Sequence, residues 1–574
     1  MPDSIAPYLA GQTAAPPRWP SRLLLAAVLA GMATLLGLAW LWLARNPLLS
    51  FWDEVMHLNI SMQDALVLKE GGLAALRDRL MLQERWLPPG LRLLGLPVAI
   101  AFGTEAPSAL RIFAAVATTA TALVIWAGLR PVAGRTGAAA GALLYVLTPQ
   151  NLLGAQSFMT EIPLHLAAAC AMALLLHEAV APRASMWRLG LLGLALGLGA
   201  LAKLTFLPSI GLAWVGLALW RWWRDRDPAA FRLRILLPAV GLAALAWPFY
   251  LLNGGRYVGY AKATAAGYGF IPVEETGLAY AMRVGGTLLW EVLGLGGAPL
   301  LVAAVVLGLM GWRRLGQGQR SMILLAILAA TPAFIAFLFS KNQTERYLGI
   351  SLVALCTPVG LAIGAAMRDA ALTRLARGAV VVVAAAAFLQ IGAAWVVALG
   401  GPLPGRPLRP MVEANWRPNT LCDLTPVADL LPPRGDGDRT RVGVFALTPA
   451  VNPNTVLNAY LRQGRSAHVI ELVNDSATSI NWDRLLAESA QLDLIILPEV
   501  FWQHGTDPSK VPGERNVADR SIDEYRARLG DRVVDRGTIR NGTAEACTAH
   551  VLTLRQDTPE AEAARARPLR PEAH

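Results

Sequence analysis

The chain has 574 residues, of which 55% are hydrophobic and 16% charged, well short of the quarter charged that is usual in soluble domains. Its apolar residues are gathered into runs long enough to cross a bilayer, which excludes a wholly soluble enzyme and implies a multi-pass membrane protein with room for one soluble domain. Most of the formal net charge of +11 lies in short loops between apolar runs, so it does not point to nucleic acid as a partner.

Residues 1–20 read as a cytoplasmic tail. The first apolar run is too long for a signal-peptide core and lacks a small-residue cleavage site. Spans are expected at about 21–45, 107–129, 136–150, 161–180, 187–202, 204–220, 235–252, 290–312, 321–340, 347–366 and 378–400. Alternate loops are rich in arginine: Arg130 and Arg135; Arg183 and Arg188; Arg221 to Arg234; Arg313, Arg314 and Arg320; Arg368, Arg374 and Arg377. The positive-inside rule places these loops in the cytoplasm and the remaining loops outside. The fold class is therefore a polytopic α-helical membrane protein of about 11 spans, 11–13 in all, with a C-terminal extramembrane α/β domain.

The first outward loop, 46–106, opens on Phe51-Trp52-Asp53-Glu54-Val55-Met56-His57. Carboxylates at a membrane edge are costly unless they line a polar cavity, which makes Asp53 and Glu54 functional candidates. The alternative is that they only mark the end of a span. A helical pattern over 61–85 suits an interfacial helix, Trp86-Leu87-Pro88-Pro89-Gly90 breaks it, and 91–103 reads as an interfacial or re-entrant helix. Under this topology Asp53, Glu54, Glu161, Lys203, Lys341, Glu345 and Arg346 collect at one membrane face, whereas unrelated helix-end charges would divide between two.

Past Gly400 a proline-rich linker, 401–420, leads to an outward α/β domain over 421–556 and a tail, 557–574, expected to be disordered. Strands are expected at Val442–Leu447, Ala467–Val473, Leu492–Leu497 and His550–Leu554, with helices at about 453–463, 482–490 and 519–529. Cys170 and Cys356 fall inside spans and read as small core residues. Cys422 and Cys547 flank the outward domain and are expected to pair in an oxidising compartment, a closure of about 4 kcal/mol in the chain-entropy model.

Several ordered pieces resemble the GT-C superfamily of integral-membrane glycosyltransferases, above all the bacterial aminoarabinose transferase of lipid A and the related protein mannosyltransferases. They are Asp53-Glu54 after the first span, Trp86–Gly90 before an apolar segment, and Gly103-Thr104-Glu105-Ala106-Pro107-Ser108-Ala109-Leu110-Arg111 leading into the next span. Thr148-Pro149 follows, then Met159-Thr160-Glu161-Ile162-Pro163-Leu164, Gly197-x-x-x-Leu201-x-Lys203, and Lys341 with Arg346-Tyr347-Leu348. The resemblance covers about 20–400 and makes 21–400 the catalytic domain. It departs at Glu161, where these relatives often carry aspartate.

The resemblance implies inverting transfer of a sugar from a polyprenyl-phosphate donor to a glycolipid, polysaccharide or protein acceptor at the periplasmic face of a bacterial inner membrane. An acceptor hydroxyl needs a base, for which Asp53 is assigned, with Glu54 and Glu161 orienting it or the acceptor. The leaving phosphate needs cations, and Lys203, Lys341, Arg346 and Arg85 are candidates. His57, Tyr347 and His165 are nearby candidates. No cofactor is assigned, and a divalent cation, if one is used, would sit on Asp53 and Glu161. Membrane lipids are the other expected partners. Competing readings are a transporter or flippase of lipid-linked saccharides, which would show midplane charges and internal repeats, a non-catalytic scaffold with an outward binding domain, and a transferase using a diphosphate-linked donor.

Overall fold

The computed structural model describes residues 18–45, 52–83, 87–265, 277–340, 345–399, 424–430, 440–445, 451–465, 467–473, 480–498, 517–540 and 548–555. Among them, eight helices are long and apolar enough to cross a membrane, and Met186–Ala202 is a shorter apolar helix. The chain is a multi-pass membrane protein with a small C-terminal sheet domain, as its composition required.

The helices in order are α1 (Arg18–Arg45), α2 (Trp52–Asp78), α3 (Gly90–Phe102), α4 (Ala106–Leu147), α5 (Pro149–Gly154), α6 (Glu161–Val180) and α7 (Met186–Ala202). Then come α8 (Leu212–Asp225), α9 (Pro228–Ala265), α10 (Gly277–Gly286), α11 (Gly294–Gly311), α12 (Gln317–Phe339), α13 (Gly349–Ala366) and α14 (Thr373–Ala398). Ten of the eleven expected spans fall on the apolar helices; the one at 204–220 crosses a short π-turn, Leu207–Gly211, into the 14-residue α8. The two expected at 107–129 and 136–150 are halves of α4, which kinks at Gly134, where φ is 73°. The acidic motif lies on the first turn of α2, which kinks at Gly72, where φ is 69°, so the helical pattern seen from residue 61 begins nine residues earlier.

The chain divides into two compact units, one of Met1–Leu43, Gly71–Gly95 and Leu110–Arg417, the other of Ala44–Glu70, Leu96–Ala109 and Pro418–His574. The core of the first is built from alanine, leucine and valine of α1, α4, α6, α7, α11, α12, α13 and α14. Small residues let these backbones approach closely, which is how helices pack when lipid tails are as apolar as their side chains.

Helix α6 separates two sets of charges. At its C-terminal end buried Glu178 receives Arg234 Nε at 3.1 Å and Arg188 Nε at 3.3 Å, while buried Arg221 donates to the carbonyl of Ala179 at 3.2 Å. Arg314 also meets Asp369 at 2.6 Å, joining two of the arginine-bearing loops. Glu161 stands at the other end of α6.

In the second unit the tail runs α15 (Thr425–Asp429), β1 (Thr440–Val444), α16 (Pro453–Arg462), β2 (Ala467–Glu471), α17 (Trp482–Ser489), β3 (Leu494–Pro498), α18 (Val517–Leu529), β4 (Val533–Arg540) and β5 (Thr548–Leu554). The sheet order is β2-β1-β3-β5-β4; β1 is parallel to β2 and β3, and β5 is antiparallel to β3 and β4. Val442, Val444, Leu494 and Ile496 fill one core with Val456 and Tyr460 of α16, and Ile495 and Leu497 fill another with Tyr525. The four expected strands are present. Strand β4 was not expected: Asp535, Arg536 and Gly537 hide it, and as an edge strand it tolerates charge and a bulge between Asp535 and Thr538.

Candidate active site

The site is built where α6 and α13 begin and α7 ends. Glu161 opens α6 and suits a helix N-terminus, where exposed amide groups favour a carboxylate. Pro163 follows within the first turn, where its missing N–H leaves no hydrogen bond unmade. The carboxylate is occupied on both oxygens: Lys203 Nζ approaches Oε1 to 2.9 Å and the Thr160 hydroxyl donates to Oε2 at 3.3 Å.

Lys203 caps α7 in an extended conformation, its amide donating to the carbonyl of Gly199. Helix α9 fixes that turn from two sides. The Tyr250 hydroxyl donates to the carbonyl of Ala200 at 2.6 Å, and the amide of Leu204 donates to the Tyr257 hydroxyl at 3.1 Å. A third support comes from Gly90, the last residue of the tryptophan-proline motif. A Cβ there would meet the Leu201 carbonyl at 2.7 Å, so only glycine lets the two backbones touch. Two motifs, with Gly90 and Leu201 111 residues apart, are thereby joined beside Lys203.

Tyr347 completes the cluster. The Lys203 ammonium sits 4.5 Å from its ring centroid and the Arg346 guanidinium 5.6 Å, so one aromatic ring carries both cations. Below it, His165 lies one turn beyond Glu161, its Nδ1 3.3 Å from the Tyr145 hydroxyl and the two rings edge to face. Its Nε2 is buried without a hydrogen-bond partner among the described residues and faces Gly349, where a Cβ would overlap it. Arg111 of the glycine-to-arginine motif is buried, with its guanidinium 4.7 Å from the Trp42 ring, which ties α4 to α1.

Glu161, Lys203, Arg346, Tyr347 and His165 are thus gathered in one cluster. Glu54 and His57 are buried on α2 in the other compact unit. Asp53 lies on the first turn of α2, but its side chain is outside the described residues, as are Arg85, Lys341, Cys422 and Cys547. Among the described residues, no group of three His, Cys, Asp or Glu side chains is placed to hold a metal ion. Sequence reasoning did not reach Tyr145, Tyr250, Tyr257 or Gly349. Only Gly349 carried a signal, in its position two residues after Tyr347.

The chain shares its fold with solved membrane glycosyltransferases. The family model described as dolichyl-phosphate-mannose-protein mannosyltransferase matches residues 93–247. ArnT from Cupriavidus metallidurans, solved bound to undecaprenyl phosphate, superposes with a TM-score of 0.54 at 16% identity, over 92% of this chain and 97% of that one. The oligosaccharyltransferase AglB from Archaeoglobus fulgidus, solved with an inhibitory peptide and a dolichol-phosphate, gives 0.51 at 13% identity over 84% and 69%. The arabinofuranosyltransferase AftD from Mycobacteria gives 0.51 at 14% identity over 95% of this chain and 40% of that one. No curated protein matches the chain significantly in sequence.

Proposed function

We propose that the protein is an inverting glycosyltransferase that moves a sugar from a polyprenyl-phosphate donor to a glycolipid, glycan or protein acceptor at the periplasmic face of a bacterial inner membrane. The observation that carries this reading is the Glu161–Lys203 pair under the ring of Tyr347, with Arg346 on the same ring. It is supported by a fold shared with an ArnT structure that holds undecaprenyl phosphate.

The acceptor oxygen attacks the anomeric carbon as the bond from that carbon to the phosphate oxygen breaks. The acceptor proton passes to a carboxylate, and the lipid phosphate leaves with the bonding electrons. Asp53 is the proposed base, with Glu54 and His57 beside it on α2. Charge develops on the leaving phosphate, where fixed cations are most effective in a site shielded from water. Lys203 and Arg346 supply it, with Lys341 and Arg85 as further cations. An ammonium has three donors, so the bond to Glu161 leaves Lys203 able to meet a phosphate oxygen. Glu161 holds Lys203 in place and keeps the cluster from carrying uncompensated charge between turnovers. A phosphate leaves readily, so no general acid is needed, and a single displacement inverts the anomeric configuration.

The test is transfer of label from purified polyprenyl-phosphate sugars to membrane extracts by wild type, Asp53→Asn and Glu161→Gln. Loss of transfer in Asp53→Asn by about 10²-fold or more is expected for a base. Full activity in that variant removes Asp53 from the role. Cysteine labelling that puts position 53 and the tail on opposite faces would overturn the topology.

A further inference from the structure

Helix α2 carries Asp53 and Glu54 on its first turn and presents Asn59 six residues after Asp53, about 9 Å along the axis. The Asn59 side chain is 1% exposed and is held at both ends. Its Nδ2 donates to the main-chain carbonyl of Asn454 at 2.7 Å, and its Oδ1 accepts from Nδ2 of Asn458 at 2.8 Å. Both partners lie on α16 of the tail, 395 and 399 residues further along the chain.

Helix α16 is itself firmly placed. Asn452 caps it, accepting from the amides of Asn454 and Thr455, and the Thr455 hydroxyl accepts from the Asn452 amide in return. Val456 and Tyr460 on α16 are buried in the core with β1 and β3. Contacts therefore run from the centre of the sheet, through α16, to a single amide on α2. An apolar pair of similar size would fill the same space but would let α2 slide. A buried amide held by two hydrogen bonds tolerates one register, because any shift leaves polar groups unpaired. Independently, Ala44–Glu70 and Leu96–Ala109, which take in 46–70 and 96–106 of the first loop, fall in the same compact unit as the tail.

We infer that the C-terminal domain is a positioning element for the acidic helix, and that Asn59, gripped by Asn454 and Asn458, sets the axial position of Asp53 and Glu54. The inference rests on the proposed role of that acidic pair in transfer. Asn59 acts through α2 and is a positioning residue. A displacement of about 1 Å at a reacting group can lower a rate 10²-fold, so loss of this grip should reduce turnover and spare the binding of the lipid phosphate.

The experiment uses the full chain in lipid nanodiscs, with Asn59→Ala and Asn458→Leu as independent variants. Amide hydrogen exchange over 54–66 is expected to speed up on the order of tenfold in both, with β1, β3 and α6 unchanged. Label transfer is expected to fall by a similar factor while affinity for undecaprenyl phosphate stays within about twofold. No acceleration in either variant, or acceleration shared equally by β1 and β3, overturns the grip. A fall in undecaprenyl phosphate affinity that matches the fall in rate overturns the positioning role. If Asp53→Asn transfers at full rate, the catalytic reading fails while the exchange result stands on its own.

Discussion

Lys203 reaches back across 42 residues to Glu161 and closes the ion pair at 2.9 Å, with Glu161 buried and Lys203 about one-fifth exposed. A partly buried pair of this kind costs more to break than to replace, because removing one partner leaves the other charged and desolvated. Lys203→Met should therefore destabilise the protein by about 3 kcal/mol. Glu161→Gln, which keeps a hydrogen-bonding group, should cost about 1 kcal/mol. The double variant should recover most of the loss seen in Lys203→Met. Thermal unfolding in detergent measures all three; a double variant whose loss equals the sum of the two single losses would contradict the pairing. Undecaprenyl phosphate binding should weaken at least tenfold in Lys203→Met and survive in Glu161→Gln.

The opposite end of α6 provides the control. Among the described residues, Arg234→Met leaves buried Glu178 with Arg188 as its remaining ion-pair partner. The expected loss is about 2–3 kcal/mol of stability. Transfer per folded molecule should be unchanged, since these groups stand at the other end of the helix from Glu161. A rate measured against the folded fraction separates the two effects. Loss of transfer in molecules that remain folded would show that the α6 ends are coupled.

What the sequence disclosed follows from which interactions are local. Span positions were legible because apolar length and arginine placement depend on the residues themselves. Glu161, Lys203 and Arg346 were legible because charge beside an apolar run is conspicuous. The tyrosines were not: whether Tyr145 meets His165, or Tyr257 meets Leu204, depends on how helices rotate and cross. Gly349 was marked only by its place after Tyr347, since its need to be small comes from a ring on another helix. Asn59 gave no local hint, because its partners are nearly 400 residues away. Strand β4 was missed because an edge strand can carry the charges that a central strand excludes.

Asp369 offers a pH signature away from the site. The Arg314 guanidinium, hydrogen-bonded to both its carboxylate oxygens at 2.6 and 2.7 Å, holds this carboxyl below its usual range, and the Ala371 amide adds to the effect. A lowered pKa in the folded state means that the stabilisation is fully present above the unfolded value of about 3.9 and is lost as pH falls through the folded value. Melting temperature should therefore owe nothing variable to this pair between about pH 6 and 8, with its share lost below about pH 4. Asp369→Asn should remove that share at a cost of no more than about 1 kcal/mol at neutral pH, because the Arg314 side is exposed. An unchanged acid slope in the variant would contradict the assignment.

Cys422 and Cys547 are proposed to pair, on the strength of their places at the two ends of an outward-facing domain. Closing so long a loop contributes about 4 kcal/mol in the chain-entropy model. Alkylation of denatured protein should add label at both cysteines only after reduction, and Cys422→Ser should lower the melting temperature of the tail. Label at both positions without reductant would refute the pair.

Gly349 leaves no room for a Cβ against His165. Any Cβ at position 349 would overlap Nε2 of the imidazole, which the Tyr145 hydroxyl holds at its other nitrogen. Gly349 begins α13, two residues after Tyr347, so a displaced α13 would carry Tyr347 away from Lys203. Gly349→Ala should cost about 1–3 kcal/mol through overpacking and lower transfer by at least tenfold. His165→Ala alone opens space and removes one hydrogen bond, with a smaller effect on the rate. Combining the two lets the new methyl group occupy the space the imidazole leaves, so the double variant should be more stable and more active than Gly349→Ala. Melting temperature and label transfer report the two recoveries separately. If the double variant is as impaired as the sum of its parts, the close approach of Gly349 and His165 does not set the position of Tyr347.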